Sequence, residues 1–291
     1  MHRKTADLRL YLYLLPALIF VFGVIYVGLG YTGWVSLLDW NGLSPDQDFV
    51  GFRNFIEIAT DPIFWHAMGN VLIFGVITTF VQMGIGLIMA ILLQGRLVWG
   101  RGVIKVLLFI PVVLAPAVVA TGFRNLLSPD GAFNQLLGSV GLTWAQQAWL
   151  ANPSLALYAI IGISIWAGTG YSFVLYQAAI SQIDSSLPEA AQVDGAGSFR
   201  ILRYVVIPQL TGTHVILIIL GFMGALKTFD LVFLTTGGGP GRQTEFLTTY
   251  IYREGVNQFH AGYSAALSIV LVLLCLAFTL IQLRVNRTMR G

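Results

Sequence analysis

Glu189-Ala190-Ala191-Gln192-Val193-Asp194-Gly195-Ala196-Gly197 runs on to Ile207-Pro208 as a polar, small-residue island between two long apolar runs. Its carboxylates and its glycine-broken backbone would be unsatisfied in hydrocarbon. The island is therefore an aqueous element between two membrane spans. Its regular spacing suits a built surface rather than a slack linker.

The rest of the chain agrees with a membrane setting. Of 291 residues, 56% are hydrophobic and only 10% are charged. A soluble domain carries about 25% charged residues, so this chain cannot cover a water-facing surface. Apolar runs near the length of a membrane span make it an all-α, polytopic membrane protein. The single cysteine, Cys275, excludes a disulfide framework and a cysteine-based metal site. It reads as a small apolar residue within a span. The basic residues sit singly beside spans and are not interleaved with aromatics, which excludes a nucleic-acid interface.

Working outward from the island, Leu155–Ala179 precedes it as the fourth span and Gln209–Leu226 follows it as the fifth, rather short one. Upstream lie Leu10–Tyr31, Met68–Leu93 and Val103–Gly122; downstream lies Tyr263–Leu283. That makes six spans. Pro111 and Pro116 fall inside the third, where proline kinks a helix and frees carbonyls for neighbouring helices to satisfy. Trp144 and Trp149, in the polar connection before the fourth span, read as interfacial anchors.

The Lys/Arg bias sets the orientation. With a cytoplasmic N-terminus, Arg3, Lys4, Arg9, Arg96, Arg101, Lys105, Arg200, Arg203, Arg284, Arg287 and Arg290 lie inside. Only Arg53, Arg124, Lys227, Arg242 and Arg253 remain outside. Both termini and the island are thereby expected in the cytoplasm.

Within the island, Ser186 is the expected N-cap and Pro188 is tolerated in the first helical turn. Glu189 then lies near the positive end of that helix. Leu187, Ala190, Ala191 and Asp194 share a narrow face of mostly small residues at i, i+3, i+4 and i+7. Gly195 and Gly197 bracket a break, and Phe199, Leu202 and Val206 form a second apolar face beside Arg200 and Arg203. The competing reading is an amphipathic helix on lipid headgroups, which needs a broad apolar face and many lysines. An alanine–glycine face suits close approach to another protein, with Glu189 and Asp194 offering acceptors to a basic partner.

Glu-Ala-Ala, a glycine at Gly195 and a proline at Pro208 resemble the EAA loop of the membrane-spanning subunits of ABC importers. Asp194-Gly195-Ala196 and Ile207-Pro208 match the carbohydrate-uptake version, of maltose and glycerol-phosphate type. Gly131-Ala132-Phe133-Asn134 with Leu136-Leu137 is similar to an outer loop of that family. Gly238-Gly239-Pro240, Thr244, Leu247, Tyr250-Ile251-Tyr252 and Gly262-Tyr263 resemble the segment before its last span. The resemblance covers most of the chain, most strongly 67–283. It implies the type I importer permease fold: an N-terminal part over 1–66, a transmembrane domain of five core helices over 67–283 with a coupling loop at 180–208, and a tail over 284–291.

The resemblance also implies roles. Glu189, Ala190, Ala191, Asp194, Gly195 and Pro208 would couple the chain to a cytoplasmic ATPase, with Glu189 facing a basic residue there. Expected partners are a second, related permease subunit, two ATP-binding cassette subunits, an extracytoplasmic solute-binding protein and the bilayer of a bacterial or archaeal cell membrane. No catalytic residue, metal or cofactor is expected on this chain. ATP and Mg would belong to the ATPases, since Gly237–Gly241 ends in Arg242-Gln243 and lacks the Lys-Ser/Thr of a phosphate loop.

For a solute pathway, the polar and aromatic groups inside spans are the candidates: Gln82, Trp166, Tyr171, Ser172 and Tyr263. Lys227 and Asp230, spaced i, i+3, are expected to pair at the outer mouth or to anchor it. His214 reads as a satisfied bundle histidine, with no His, Asp or Glu at i+3 or i+4. Two other classes are disfavoured. A stand-alone secondary transporter would need intramembrane carboxylates, and the spans contain none. A membrane-embedded enzyme would need clustered catalytic groups, which His214 alone does not supply.

Overall fold

The computed structural model describes residues 8–94 and 99–288. Arg3, Lys4, Arg96 and Arg290, used above for orientation, lie outside the described residues. Among the described residues the chain is helical apart from one short antiparallel pair, and it divides into two compact units: 1–62 with 251–274, and 63–250 with 275–291.

The first unit holds α1 (Tyr13–Val35), strands β1 (Leu38–Asp39) and β2 (Asp48–Phe49), and α2 (Arg53–Thr60). It also takes the first turns of the last helix, Ala261–Thr288. Every residue of α1 from Tyr13 to Tyr31 is exposed. An apolar helix with no buried face is stable only against lipid or another protein. The strands pair Leu38 with Phe49 and Asp39 with Asp48. Asn54 locks this corner by donating its Nδ2 to the carbonyls of Ser36 and Leu38, both at 2.9 Å. Gly262 lets the last helix touch it: its N–H donates to Trp40 O at 3.0 Å, and a Cβ there would lie 2.0 Å from Leu38 O.

The second unit holds α3 (Pro62–Leu92), α4 (Arg101–Val113), α5 (Pro116–Leu126), α6 (Ala132–Ser139) and α7 (Ala156–Ile180). Beyond them come α8 (Ser186–Val193), α9 (Ser198–Gln209), α10 (Thr211–Lys227) and α11 (Asp230–Thr235), then α12 (Leu247–Tyr252) and α13 (Ala261–Thr288). The units divide at the middle of α12 and again within α13.

Among the described residues four helices are long and apolar enough to cross a membrane, and two bent pairs, α4–α5 and α9–α10, bring the total to six if each pair is one span. The expected all-α, six-span architecture is thus present, with three corrections. The third span is not a kinked rod: α4 and α5 meet at 99°. Leu114 and Ala115 are extended, with ψ of 137° and 135°. Pro116 disfavours helix at the residue before it and begins the next helix at its first position. Pro111 stays inside α4, so only one of the two prolines makes the break. The fifth span bends by 63° at Leu210. Its helix α10 alone, ~26 Å at 1.5 Å per residue, falls short of the ~30 Å hydrocarbon core. The second span begins six residues earlier than expected, at Pro62, because Asp61-Pro62 starts the helix before the apolar run does.

Small residues set how closely the helices of this unit approach. A Cβ on Gly170 of α7 would lie 2.0 Å from Leu108 O of α4, and one on Gly86 of α3 would lie 2.8 Å from Ser172 Cβ of α7. Around these contacts Met83, Ala90, Phe173, Tyr176, Leu210 and Leu217 form a buried apolar core. His214 sits beside it, its Nδ1 2.7 Å from Leu210 O and its ring edge-on to Tyr176.

Candidate functional site

Two features of the second unit carry functional geometry: the exposed element α8–α9 and a cavity among α3, α7 and α10. In α8 no residue is buried, and Val193 is 88% exposed. Glu189, Ala190 and Asp194 are exposed, and Ala191 is half-buried. The helix is closed at both ends by its own chain. At the C-terminus, Gly195 takes φ +80°, its N–H reaches Gln192 O at 3.0 Å, and Ala196 N–H reaches Ala191 O at 2.9 Å. This glycine-dependent stop turns the chain into α9. Pro208 lies near the end of α9, just before the bend at Leu210.

The expected N-cap, Ser186, is corrected. Ser186 is the first helical residue, and its N–H donates to Asp184 Oδ1 at 3.0 Å. The N-cap position is Ser185, whose side chain makes no capping bond; the side-chain acceptor at this end is Asp184, two residues before Ser186. The Ser186 backbone bond holds the Asp184 carboxyl below the usual carboxylate range, helped by the Ser186 side chain.

The cavity, of about 290 Å³, is lined by Thr78, Thr79 and Gln82 of α3, Ser164, Gly168, Tyr171 and Ser172 of α7, and Gly221 and Gly224 of α10. Gln82 donates its Nε2 to Ser164 O at 2.8 Å. Gly168 makes room for that amide, since a Cβ there would lie 2.4 Å from Nε2. Thr79 is 2% exposed, and its Oγ1 has no hydrogen-bond partner among the described residues. Gly221 faces it: a Cβ there would meet Thr79 Oγ1 at 2.2 Å. A buried, unpaired hydroxyl costs free energy unless a water or a ligand hydroxyl completes it. The lining is uncharged: an amide, hydroxyls and one phenol ring are set among the apolar side chains of Phe74, Met83, Leu217, Leu220 and Ala225. That chemistry suits a neutral, hydroxyl-rich molecule. Among the described residues no cluster of His, Cys, Asp and Glu could hold a metal.

The sequence candidates divide accordingly. Gln82, Tyr171 and Ser172 come together at this cavity. Trp166 does not line it; its ring packs edge-on to Phe123 at 5.1 Å. Lys227 and Asp230 end α10 and begin α11 without an ion pair, because Thr228 (ψ 114°) and Phe229 break the helix that their i, i+3 spacing presupposed. Tyr263 belongs to the first unit, where its hydroxyl donates to Asp61 Oδ2 at 2.8 Å. Thr79, Ser164 and Gly221 were not singled out from the sequence. Thr78-Thr79 interrupting an apolar run was the available signal.

Two of the sequence motifs have structural explanations. Asn134 is 4% exposed and donates Nδ2 to Pro129 O (2.9 Å) and Gln147 O (2.8 Å), while Oδ1 accepts from Trp149 Nε1 (2.9 Å). Trp149 is thus a partner of Asn134 rather than a free interfacial anchor, and Trp144 alone stays 79% exposed. Gly131 allows the turn, since a Cβ there would lie 2.3 Å from Leu126 O. The Thr244-Glu245 segment is held to α3 by Asn70, whose Nδ2 reaches Gln243 O at 2.9 Å and Glu245 O at 3.0 Å.

Residues 82–291 match the profile of the family described as binding-protein-dependent transport system inner membrane component. The chain belongs to that family. The matched region contains α8, α9 and most of the cavity wall. Among relatives, a probable ABC transporter permease protein of Bacillus subtilis is 34% identical over 281 residues, 96% of either chain. A trehalose/maltose transport system permease protein of Thermococcus litoralis is 30% identical, over 96% of this chain and 94% of its own. A solved bacterial ABC transporter involved in import of the acidic polysaccharide alginate shares the fold. It matches with a TM-score of 0.83 and 23% identity, over 98% of this chain and 97% of its own. As a family member, the chain is an inner-membrane component of a transport system.

Proposed function

We propose that the chain is the transmembrane permease subunit of an ATP-driven ABC importer that moves a sugar or sugar-like solute inward. The observation that carries this is the exposed, doubly capped helix α8 between two spans, with Glu189-Ala190-Ala191 along it and Gly195 at its stop. A helix with no buried residue, held rigid by Asp184 and Gly195, is a surface prepared for another protein. In this reading it seats in a cytoplasmic ATPase, with Glu189 facing a basic residue. The chain hydrolyses no ATP itself; ATP and Mg belong to the ATPase subunits. A second permease subunit completes the pathway, an external binding protein delivers the solute, and both termini of this chain lie in the cytoplasm.

The solute class rests on two supports. A relative over 96% of the chain is named for trehalose/maltose transport, and one over 80% of it, in Rhizobium radiobacter, for lactose. The cavity around Gln82, Tyr171 and Ser172 has the uncharged hydrogen-bonding character that sugars require. Lys227, Asp230, Trp166 and Tyr263 remain proposed as pathway residues beyond the cavity wall. Closure of the ATPases on ATP would pull α8 and, through α9, the bent fifth span that forms one side of the cavity. Purification tests the reading. The full chain should co-purify with a cytoplasmic ATPase and support uptake only with ATP. Uptake by this chain alone in ATP-free vesicles would overturn it.

A further inference from the structure

A second groove, of about 530 Å³, runs between α4 and α7. Val106, Phe109, Ile110 and Val113 line it from α4, and Phe173 and Val174 from α7. Its polar residues are Lys105 and Gln177, both at the end where α4 begins and α7 finishes. Arg101 lies one turn before Lys105 on the same face of α4. Neither cation has an ion pair among the described residues. Trp99, 98% exposed, precedes them and suits the headgroup level.

The length of the groove identifies what fits it. From Lys105 to the break at Leu114–Ala115, α4 rises ~14 Å, about half of the ~30 Å hydrocarbon core. The groove therefore covers one leaflet, starting at Lys105, with Arg101 one turn beyond it, and ending where the span turns by 99°. An apolar trough one leaflet long with unpaired positive charge at its aqueous rim complements one anionic amphiphile. A protein covering this face would have to supply carboxylates to the two cations or leave them unpaired.

We propose that this groove holds one acidic phospholipid of the cytoplasmic leaflet, its headgroup phosphate against Arg101 and Lys105 and an acyl chain along α4 and α7. The assignment to the cytoplasmic leaflet rests on the inward orientation proposed above. The lipid would wedge α4 against α7 beside the Gly170–Leu108 contact, so the membrane's acidic lipid content would influence how the third and fourth spans pack.

The test uses the full chain, purified with its accompanying subunits in mild detergent and exchanged into phosphatidylethanolamine or phosphatidylglycerol. Native mass spectrometry counts the lipids retained. The wild type is expected to hold one phosphatidylglycerol per copy of this chain, about 30-fold more tightly than the Arg101→Gln/Lys105→Gln variant, as two basic side chains at an anionic headgroup imply. Val113→Trp, which fills the trough and leaves both charges, is expected to lose the same lipid. Equal retention by wild type and both variants would overturn the proposal. So would a photo-crosslinking side chain at position 109 that captures another subunit in place of lipid. ATP-driven uptake, measured on the same preparations, keeps the two readings apart. Its absence in the wild type strikes the transport reading, whereas unchanged lipid counts strike only this one.

Discussion

Asn134→Ala should open the outer segment around 128–149 without unfolding the spans. Asn134 is buried and makes three bonds of 2.8–2.9 Å, to Pro129 O, Gln147 O and Trp149 Nε1. Each hydrogen bond contributes about 1 kcal/mol net, and stranding the half-buried Trp149 N–H adds about 1 kcal/mol or more. The local opening free energy should therefore fall by about 4 kcal/mol, on the order of a thousandfold in the opening equilibrium. Hydrogen exchange followed by mass spectrometry reads this directly on peptides covering 128–149, while peptides from α3 and α7 serve as internal references. Asn134→Asp should do no better, because it keeps the acceptor for Trp149 but presents a carboxylate to two carbonyls. Exchange in this segment accelerated less than about threefold in Asn134→Ala would refute the claim that one side chain organises it.

Other outcomes follow from the same geometry. Asp184→Ala should lower uptake per ATP hydrolysed by leaving the Ser186 N–H uncapped, and Asp184→Asn should restore it; equal defects in both would exclude the capping role. Because the Asp184 carboxyl is held below its ordinary range, its contribution is complete above the ordinary carboxylate range and is lost only as pH falls through the depressed value. Uptake that followed this cap would thus stay flat through mildly acid pH. Gln82→Leu should reduce uptake at least tenfold while leaving basal ATPase activity of the assembled complex in place, since it removes the amide that lines the cavity and bonds Ser164 O within this chain; unchanged uptake would remove Gln82 from the pathway.

The spans and the exposed polar helix α8 were legible because both are contrasts of polarity along the chain. An island such as Glu189–Gly197 stands out between apolar runs. The bends were less legible. Leu114 and Ala115 are ordinary apolar residues, and of two prolines in the run only Pro116 ends a helix. The Asp184 cap was hidden by a better-placed serine, because capping geometry depends on which residue first turns helical. The cavity was half-legible: Gln82, Tyr171 and Ser172 are conspicuous polar groups in spans. Thr79, in contrast, matters because Gly221, far along the chain, brings α10 against it. The Lys227–Asp230 pair failed for a related reason. Its spacing assumed a continuous helix, and the break at Thr228 is held by Thr248 Oγ1 donating to Thr228 O. Pairings across more than a hundred residues, such as Asn70 with Gln243, leave no local periodic trace.

The most direct test of the account is Glu189→Lys. Glu189 is exposed in the first turn of α8 and bonds nothing else through its side chain among the described residues, so reversing its charge should leave folding and membrane insertion intact. The account predicts that the variant reaches the membrane at wild-type level, loses ATP-driven solute uptake and retains less of the ATPase on purification. Normal uptake with the charge reversed would contradict the docking role of this helix.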